Sequence, residues 1–203
     1  MTAYEPLTDR DKCVLLHVAR QAIHNTVNRI TLPELKLSDY SKVLQEISAS
    51  FVTLTEAGNL RGCIGTIDAY QPLVQDVCEH AISAALEDYR FYPVQPEDVP
   101  YIRIEISRLS PLKKLEYSQS QDLLVLLHPG MDGVVIRDGL RRATFLPQVW
   151  EKIDTVEGFL EQLCYKMGAP GDYWRRKKLD VYIYQVEKFS EETAGKPGRP
   201  GER

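Results

Sequence analysis

The chain of 203 residues has no C-x-x-C pair, no apolar run long enough to span a bilayer and no surplus of positive charge. Each absence closes off a class of function. Its cysteines, Cys13, Cys63, Cys78 and Cys164, stand singly. Neither a zinc ribbon nor a dithiol redox motif is therefore written in the sequence, and in a reducing compartment free thiols are expected. The longest apolar run, Leu123 to Leu127, falls far short of the roughly 18 residues that cross a membrane. The opening Met-Thr-Ala-Tyr-Glu-Pro lacks the basic region and apolar core of a secretory signal, which points to the cytoplasm. Lys and Arg number 25 against 29 Asp and Glu, a net charge of −4. A duplex-DNA binder would carry a basic face, so nucleic acid is not an expected partner. No P-loop, dinucleotide fingerprint, G-x-S-x-G elbow or H-E-x-x-H pair occurs. No ligand spacing suggests a metal. No cofactor and no metal is expected.

What is present is ordinary globular composition: 43% hydrophobic and 27% charged residues fit one domain, or one domain with two lobes. Thr8 with Asp11 resembles a capping box, and Val14, Leu15, Val18, Ala22 and Ile23 give a helical face running to about Asn28. Pro33 to Ser41 reads as a loop with room for a short helical turn. Ser50 to Thr55 and Leu60 to Ile67 read as a hairpin, with Gly58-Asn59 its expected centre. Pro72 opens a helix to about Asp88. Pro93, Pro96 and Pro100 mark a loop. In Tyr101 to Leu109, Ile102, Ile104 and Ile106 share one face, and Arg103, Glu105 and Ser107 share the other. A short helix at 122–127, a hairpin at 134–146, a turn from Pro147, a helix capped by Asp154 with Glu157, and a final strand from Val181 to Phe189 follow. Gly- and Pro-rich residues 191–203 read as a disordered tail. Hairpins without a β-α-β rhythm predict an α+β fold with mostly antiparallel sheet flanked by helices.

The chemistry concentrates at Leu60-Arg61-Gly62-Cys63-Ile64-Gly65. Glycines inside a strand pattern point to a bulge or to close approach of another backbone or ligand. Arg61 would favour a thiolate nearby. Cys63 is then either a reactive, ligand-contacting thiol or a small residue buried beside a bulge. A base would be needed within reach. His17, His24, His80 and His128 are the candidates, and no spacing rule brings any of them to Cys63. Asp88 and Arg90 read as an ion pair at a helix end or as a charged pair lining a cleft. Glu105 reads as solvated or as facing a cleft. Arg175-Arg176-Lys177-Lys178 could touch an anion such as RNA, although short basic runs are usually solvated.

The LRGCIG hexapeptide brings a family into view. With Phe51-Val52-Thr53-Leu54, Ala84-Ala85 through Asp88-Tyr89-Arg90-Phe91, Ile104-Glu105-Ile106-Ser107 to Ser110-Pro111, Gly130 to Ile136, Phe145-Leu146-Pro147-Gln148-Val149 and Phe159 to Trp174, the chain resembles the AMMECR family. Prokaryotic members are called protein A of the AmmeMemoRadiSam system. Tyr89 stands where the family often has proline. The resemblance covers about residues 10–190. It implies a single domain over 1–190 with two lobes and a cleft between them, the larger lobe from both terminal parts and the smaller inserted. It implies Arg61, Gly62, Gly65, Asp88, Arg90 and Gln148 as ligand-binding residues, with Cys63 and Glu105 as candidate catalytic groups. It also implies Memo-like and radical S-adenosylmethionine partner proteins. Three readings follow. One is a Cys-dependent enzyme or enzyme component acting on a small polar or anionic ligand. The second is a binding module for a ligand or partner. The third is RNA binding through the basic run.

Overall fold

The structure is a computed structural model that describes residues 4–191. The expected disordered tail, apart from Glu191, lies outside the described residues. Chain order is α1 (Asp9–Val27), α2 (Lys42–Gln45), β1 (Ile47–Glu56), β2 (Asn59–Gly65), β3 (Gln71–Pro72), α3 (Leu73–Leu86), β4 (Ile102–Leu109), β5 (Lys113–Lys114), α4 (Leu123–Leu126), β6 (Gly133–Asp138), β7 (Arg141–Phe145), α5 (Val156–Lys166), α6 (Tyr173–Arg176), β8 (Asp180–Tyr184) and β9 (Val186–Ser190). The fold is α+β, and the described residues form two compact units, 4–109 with 187–191, and 110–186.

The first unit is a five-stranded sheet in the order β2-β1-β4-β9, with β3 also on β1. β1 pairs antiparallel with β2, β3 and β4. Its alternating pattern sends Val52 and Leu54 to one side, where they pack with Ile104 and Ile106 against Leu73, Val77 and Ala81 of α3 and Leu15 and Ile23 of α1. Each fully buried Val, Leu or Ile contributes about 1.5–3 kcal/mol, an upper estimate because the unfolded chain is partly collapsed. α1 begins at the expected capping box: Asp11 N–H donates to Thr8 Oγ1 (3.2 Å), and Thr8 N–H to Asp11 Oδ2 (3.1 Å).

The second unit is a four-stranded antiparallel sheet, β5-β8-β6-β7. Its core centres on Trp150, whose ring stacks on Phe159 of α5 with centroids 3.6 Å apart. The indole N–H donates to the Asp132 carbonyl (2.7 Å).

Three local expectations need correction. The hairpin turn centres on Ala57-Gly58, because these two carry φ of 49° and 83° and Glu56 pairs with Asn59; two successive positive φ angles match the twist of a tight hairpin. The cap of α5 is Thr155, whose hydroxyl accepts from Gly158 N–H (3.2 Å), rather than Asp154. The final strand is two strands in different sheets. The break is Gln185, which exchanges 2.9 Å hydrogen bonds with Ser110 through both its N–H and its carbonyl.

Candidate functional site

β2 is an edge strand, and its first half is bulged. Leu54 faces Gly62 while Thr55 faces Leu60, which leaves Arg61 as the extra residue. The two glycines of the motif have steric reasons. A Cβ on Gly62 would sit 2.1 Å from the Ala84 carbonyl oxygen of α3, and one on Gly65 would sit 2.3 Å from that of Ser50. The close approach that glycine permits is thus of protein backbone. Beyond the bulge, Cys63 stands opposite Thr53, and Thr53 opposite Glu105. These three share the side of the sheet away from Val52, Leu54 and the helices. Thr53 Oγ1 lies 3.3 Å from Cys63 Sγ and donates to it. Glu105 Oε2 lies 3.1 Å from Lys188 Nζ of β9. Strands are about 4.8 Å apart, so Cys63 and Glu105 are separated by roughly 10 Å. A water or a ligand must lie between them for a proton to pass.

The outer edge of β2 is closed by the pair Asp88 and Arg90. Asp88 Oδ2 accepts from Cys63 N–H (2.8 Å), and Arg90 Nη2 donates to the Cys63 carbonyl (3.1 Å). The two side chains join through Arg90 Nε to Asp88 Oδ1 (2.8 Å) and Nη2 to Oδ2 (2.6 Å). The Arg90 hydrogen bonds, aided by those from backbone N–H groups, hold the buried Asp88 carboxyl far below the usual carboxylate range despite its desolvation. Arg90 is correspondingly pushed up by Asp88. Unpaired strand edges invite another chain; here side chains satisfy the edge and fix the Cys63 backbone on both sides. Arg61 Nη1 donates to the Tyr92 carbonyl (2.6 Å), and its Nη2 lies 3.5 Å from Asp98 Oδ2.

The AMMECR1 family model matches residues 16–189. The chain belongs to the AMMECR1 family. It is 36% identical over 197 residues to a protein of Methanothermobacter thermautotrophicus, covering 93% of this chain and 98% of that one. It is 34% identical over 203 residues to a protein of Methanopyrus kandleri, covering 96% and 95%. The crystal structure of an uncharacterized protein from Pyrococcus horikoshii superposes with a TM-score of 0.83 at 31% identity, over 94% of this chain and 96% of that one.

The other candidate residues divide between the two units. Gln148 belongs to the second unit, on the 3-10 turn Pro147–Glu151, and its buried Oε1 accepts no hydrogen bond from the described residues. His17 and His24 face solvent on α1. His80 is buried on α3 with Nδ1 3.2 Å from Asp76 Oδ2. His128 is in the second unit beside Asp132 (3.1 Å). Within the first unit, no imidazole of the described residues hydrogen-bonds Cys63. In the basic run, Arg175 pairs with Glu161, Arg176 with Asp172 and Lys177 with Asp138. Among the described residues, no group of three or more His, Cys, Asp or Glu could hold a metal ion, and no helix is long and apolar enough to cross a membrane. Sequence reasoning missed Thr53 and Lys188. The parity of β1 puts Thr53 opposite in direction to Val52 and Leu54, but its register with Cys63 depends on the bulge.

Proposed function

We propose that Cys63 is the working group of this protein. It would act as a nucleophile or as the acceptor of an acyl or alkyl group from a small polar or anionic ligand. The protein would thereby serve as an enzyme or enzyme component in a cytoplasmic modification pathway with Memo-like and radical S-adenosylmethionine proteins. Sγ, its S–H proton passing to solvent, would form the new bond to the ligand's electrophilic carbon while the leaving group departs with its electron pair. Glu105, with Lys188 beside it, would take up or return protons on the ligand.

The observation that carries this reading is the clamp on Cys63. Its backbone is held at both the N–H and the carbonyl while its thiol stands on the polar sheet face with a hydroxyl donor. A fixed reacting group lowers the entropy cost of reaching a productive geometry. The other cysteines lack this setting. Burial raises the Cys78 and Cys164 thiols above their ordinary value, and Cys13 is simply exposed on α1.

A second reading, a binding module without chemistry, draws on the commitments of the charged residues. Asp88, Arg90 and Arg61 all spend hydrogen bonds on the protein itself. One experiment separates the two: alkylation of the native protein across pH, with each cysteine's rate read by peptide mass spectrometry. Preferential modification of Cys63, and loss of activity on Cys63→Ser in a reconstituted pathway assay, support the thiol reading. A Cys63 that stays inert until the protein unfolds ends it and leaves the binding module.

A further inference from the structure

The guanidinium of Arg90 has more donors than the clamp on Cys63 uses. Nε and Nη2 serve the Asp88 carboxylate and the Cys63 carbonyl, and among the described residues Nη1 carries no hydrogen bond. The side chain is 44% exposed. We propose that Nη1 receives the carboxylate of the ligand that Cys63 attacks. This rests on the thiol reading of Cys63 and names its substrate class: a small electrophile with a carboxylate beside the reacting carbon. Arg90 Nη2 donates to the Cys63 carbonyl (3.1 Å), so the guanidinium stands against the residue that carries the thiol. From the β1 side, Thr53 Oγ1 holds Sγ at 3.3 Å. Arg90 is pushed up chiefly by its hydrogen bonds to Asp88, and the charge of Cys63 adds to the effect, as expected for a thiol and a guanidinium in electrostatic reach of each other.

Net charge does not choose the ligand here, since Asp88 offsets Arg90 and Lys188 offsets Glu105. A directed donor does. Asp88 is buried and its oxygens are spent on four hydrogen bonds, so the pair turns its positive end to solvent. The guanidinium is planar. With Nε and Nη2 tied, the position of Nη1 is set as well, and a fixed donor has little freedom left to lose on binding. The buried negative charge behind it repels a doubly charged phosphate more than a singly charged carboxylate. A ligand anchored in this way presents the carbon next to its carboxylate to Sγ. The thiol proton passes to solvent, the S–C bond forms, the leaving group departs with its electron pair, and the carboxylate is unchanged.

Iodoacetate and iodoacetamide are the probes. They share the reacting carbon and the leaving iodide and differ in the carboxylate. Each is reacted with the full native chain at one pH, and modification of Cys63 is read by peptide mass spectrometry. The rate ratio, iodoacetate over iodoacetamide, cancels the thiol's own nucleophilicity. At Cys63 it should exceed the ratio for N-acetylcysteinamide by about three- to fivefold, the effect a half-exposed ion pair supplies. The excess should shrink as salt rises to about 0.5 M. In Arg90→Lys the single nitrogen is drawn to Asp88, which keeps the buried charge paired and leaves no spare donor; the excess should vanish. A wild-type ratio no higher than that of the free thiol, an excess indifferent to salt, or the same excess in the folded Lys variant overturns the proposal. The wild-type ratio decides even where the variant does not fold. A Cys63 inert to both reagents ends the thiol reading itself, whereas one that reacts with both at the free-thiol ratio ends only the carboxylate.

Discussion

Asp88→Asn tests whether the clamp on Cys63 is structural support for the thiol. The carboxylate accepts four hydrogen bonds: from Cys63 N–H (2.8 Å), from Arg90 Nη2 (2.6 Å) and Nε (2.8 Å), and from Arg90 N–H (3.2 Å). An asparagine keeps one acceptor oxygen and turns an NH₂ toward the remaining donors. Two bonds are lost, each worth about 1.5–3 kcal/mol when an ion takes part. The Arg90 side chain is nearly half exposed and regains water, so the net cost is reduced to about 2–3 kcal/mol. For a chain of this length each kcal/mol lowers Tm by about 2–4 °C. The variant should therefore melt about 5–10 °C below wild type at neutral pH, and the Cys63 amide should lose protection from hydrogen exchange. The pH dependence has a definite sign. The folded carboxyl is held below its unfolded value of about 3.9, so its contribution is complete above that value. It is lost as pH falls through the depressed folded value. The gap between the two melting temperatures should hold from pH 7 to about 5 and close only in stronger acid. A gap under about 1 °C at neutral pH, or equal protection of the Cys63 amide, would falsify the clamp.

Two more tests follow from the packing and the charges. Gly62→Ala places a Cβ 2.1 Å from a backbone oxygen of α3, which no rotamer change relieves; it should cost about 3 kcal/mol or more, and an unchanged melt would mean that β2 and α3 separate freely. Asp138 in the second unit is held down to about 2 by Lys177, Tyr173 and Arg141; carboxyl NMR should place its midpoint there, and Lys177→Ala should move it toward the ordinary value, whereas no movement would reject Lys177 as the main cause.

Much of the first unit was legible from local pattern. The capping box at Thr8, the alternation of Ile102 to Ile106 and the loop at Pro93 to Pro100 depend on neighbours within a few residues and stand in the structure as read, whereas Ser107, expected on the polar face, is buried. One error was local, the cap of α5 at Thr155 rather than Asp154; the other two lie where more distant chain decides. Val181 to Phe189 has continuous strand propensity, yet Ser110 takes both backbone groups of Gln185 and divides it between two sheets. The turn at Ala57-Gly58 depends on how β1 and β2 register across the bulge, and one residue of slip changes its centre.

The candidate site divides in the same way. The sequence alone marks Arg61, Cys63, Asp88 and Arg90 as unusual and, through family resemblance, as belonging together. It also sets the parity that puts Glu105 on the polar face of its strand. Only the tertiary structure shows that Asp88 and Arg90 close the edge of β2, that Gly62 serves the approach of α3, that Thr53 and Lys188 join the row of Cys63 and Glu105, and that Gln148 belongs to the other unit. The physical reason is range. Propensity and periodicity report on residues a few positions apart, whereas a hydrogen bond between positions 63 and 88 exists only after the strand, the helix and the loop have packed against one another.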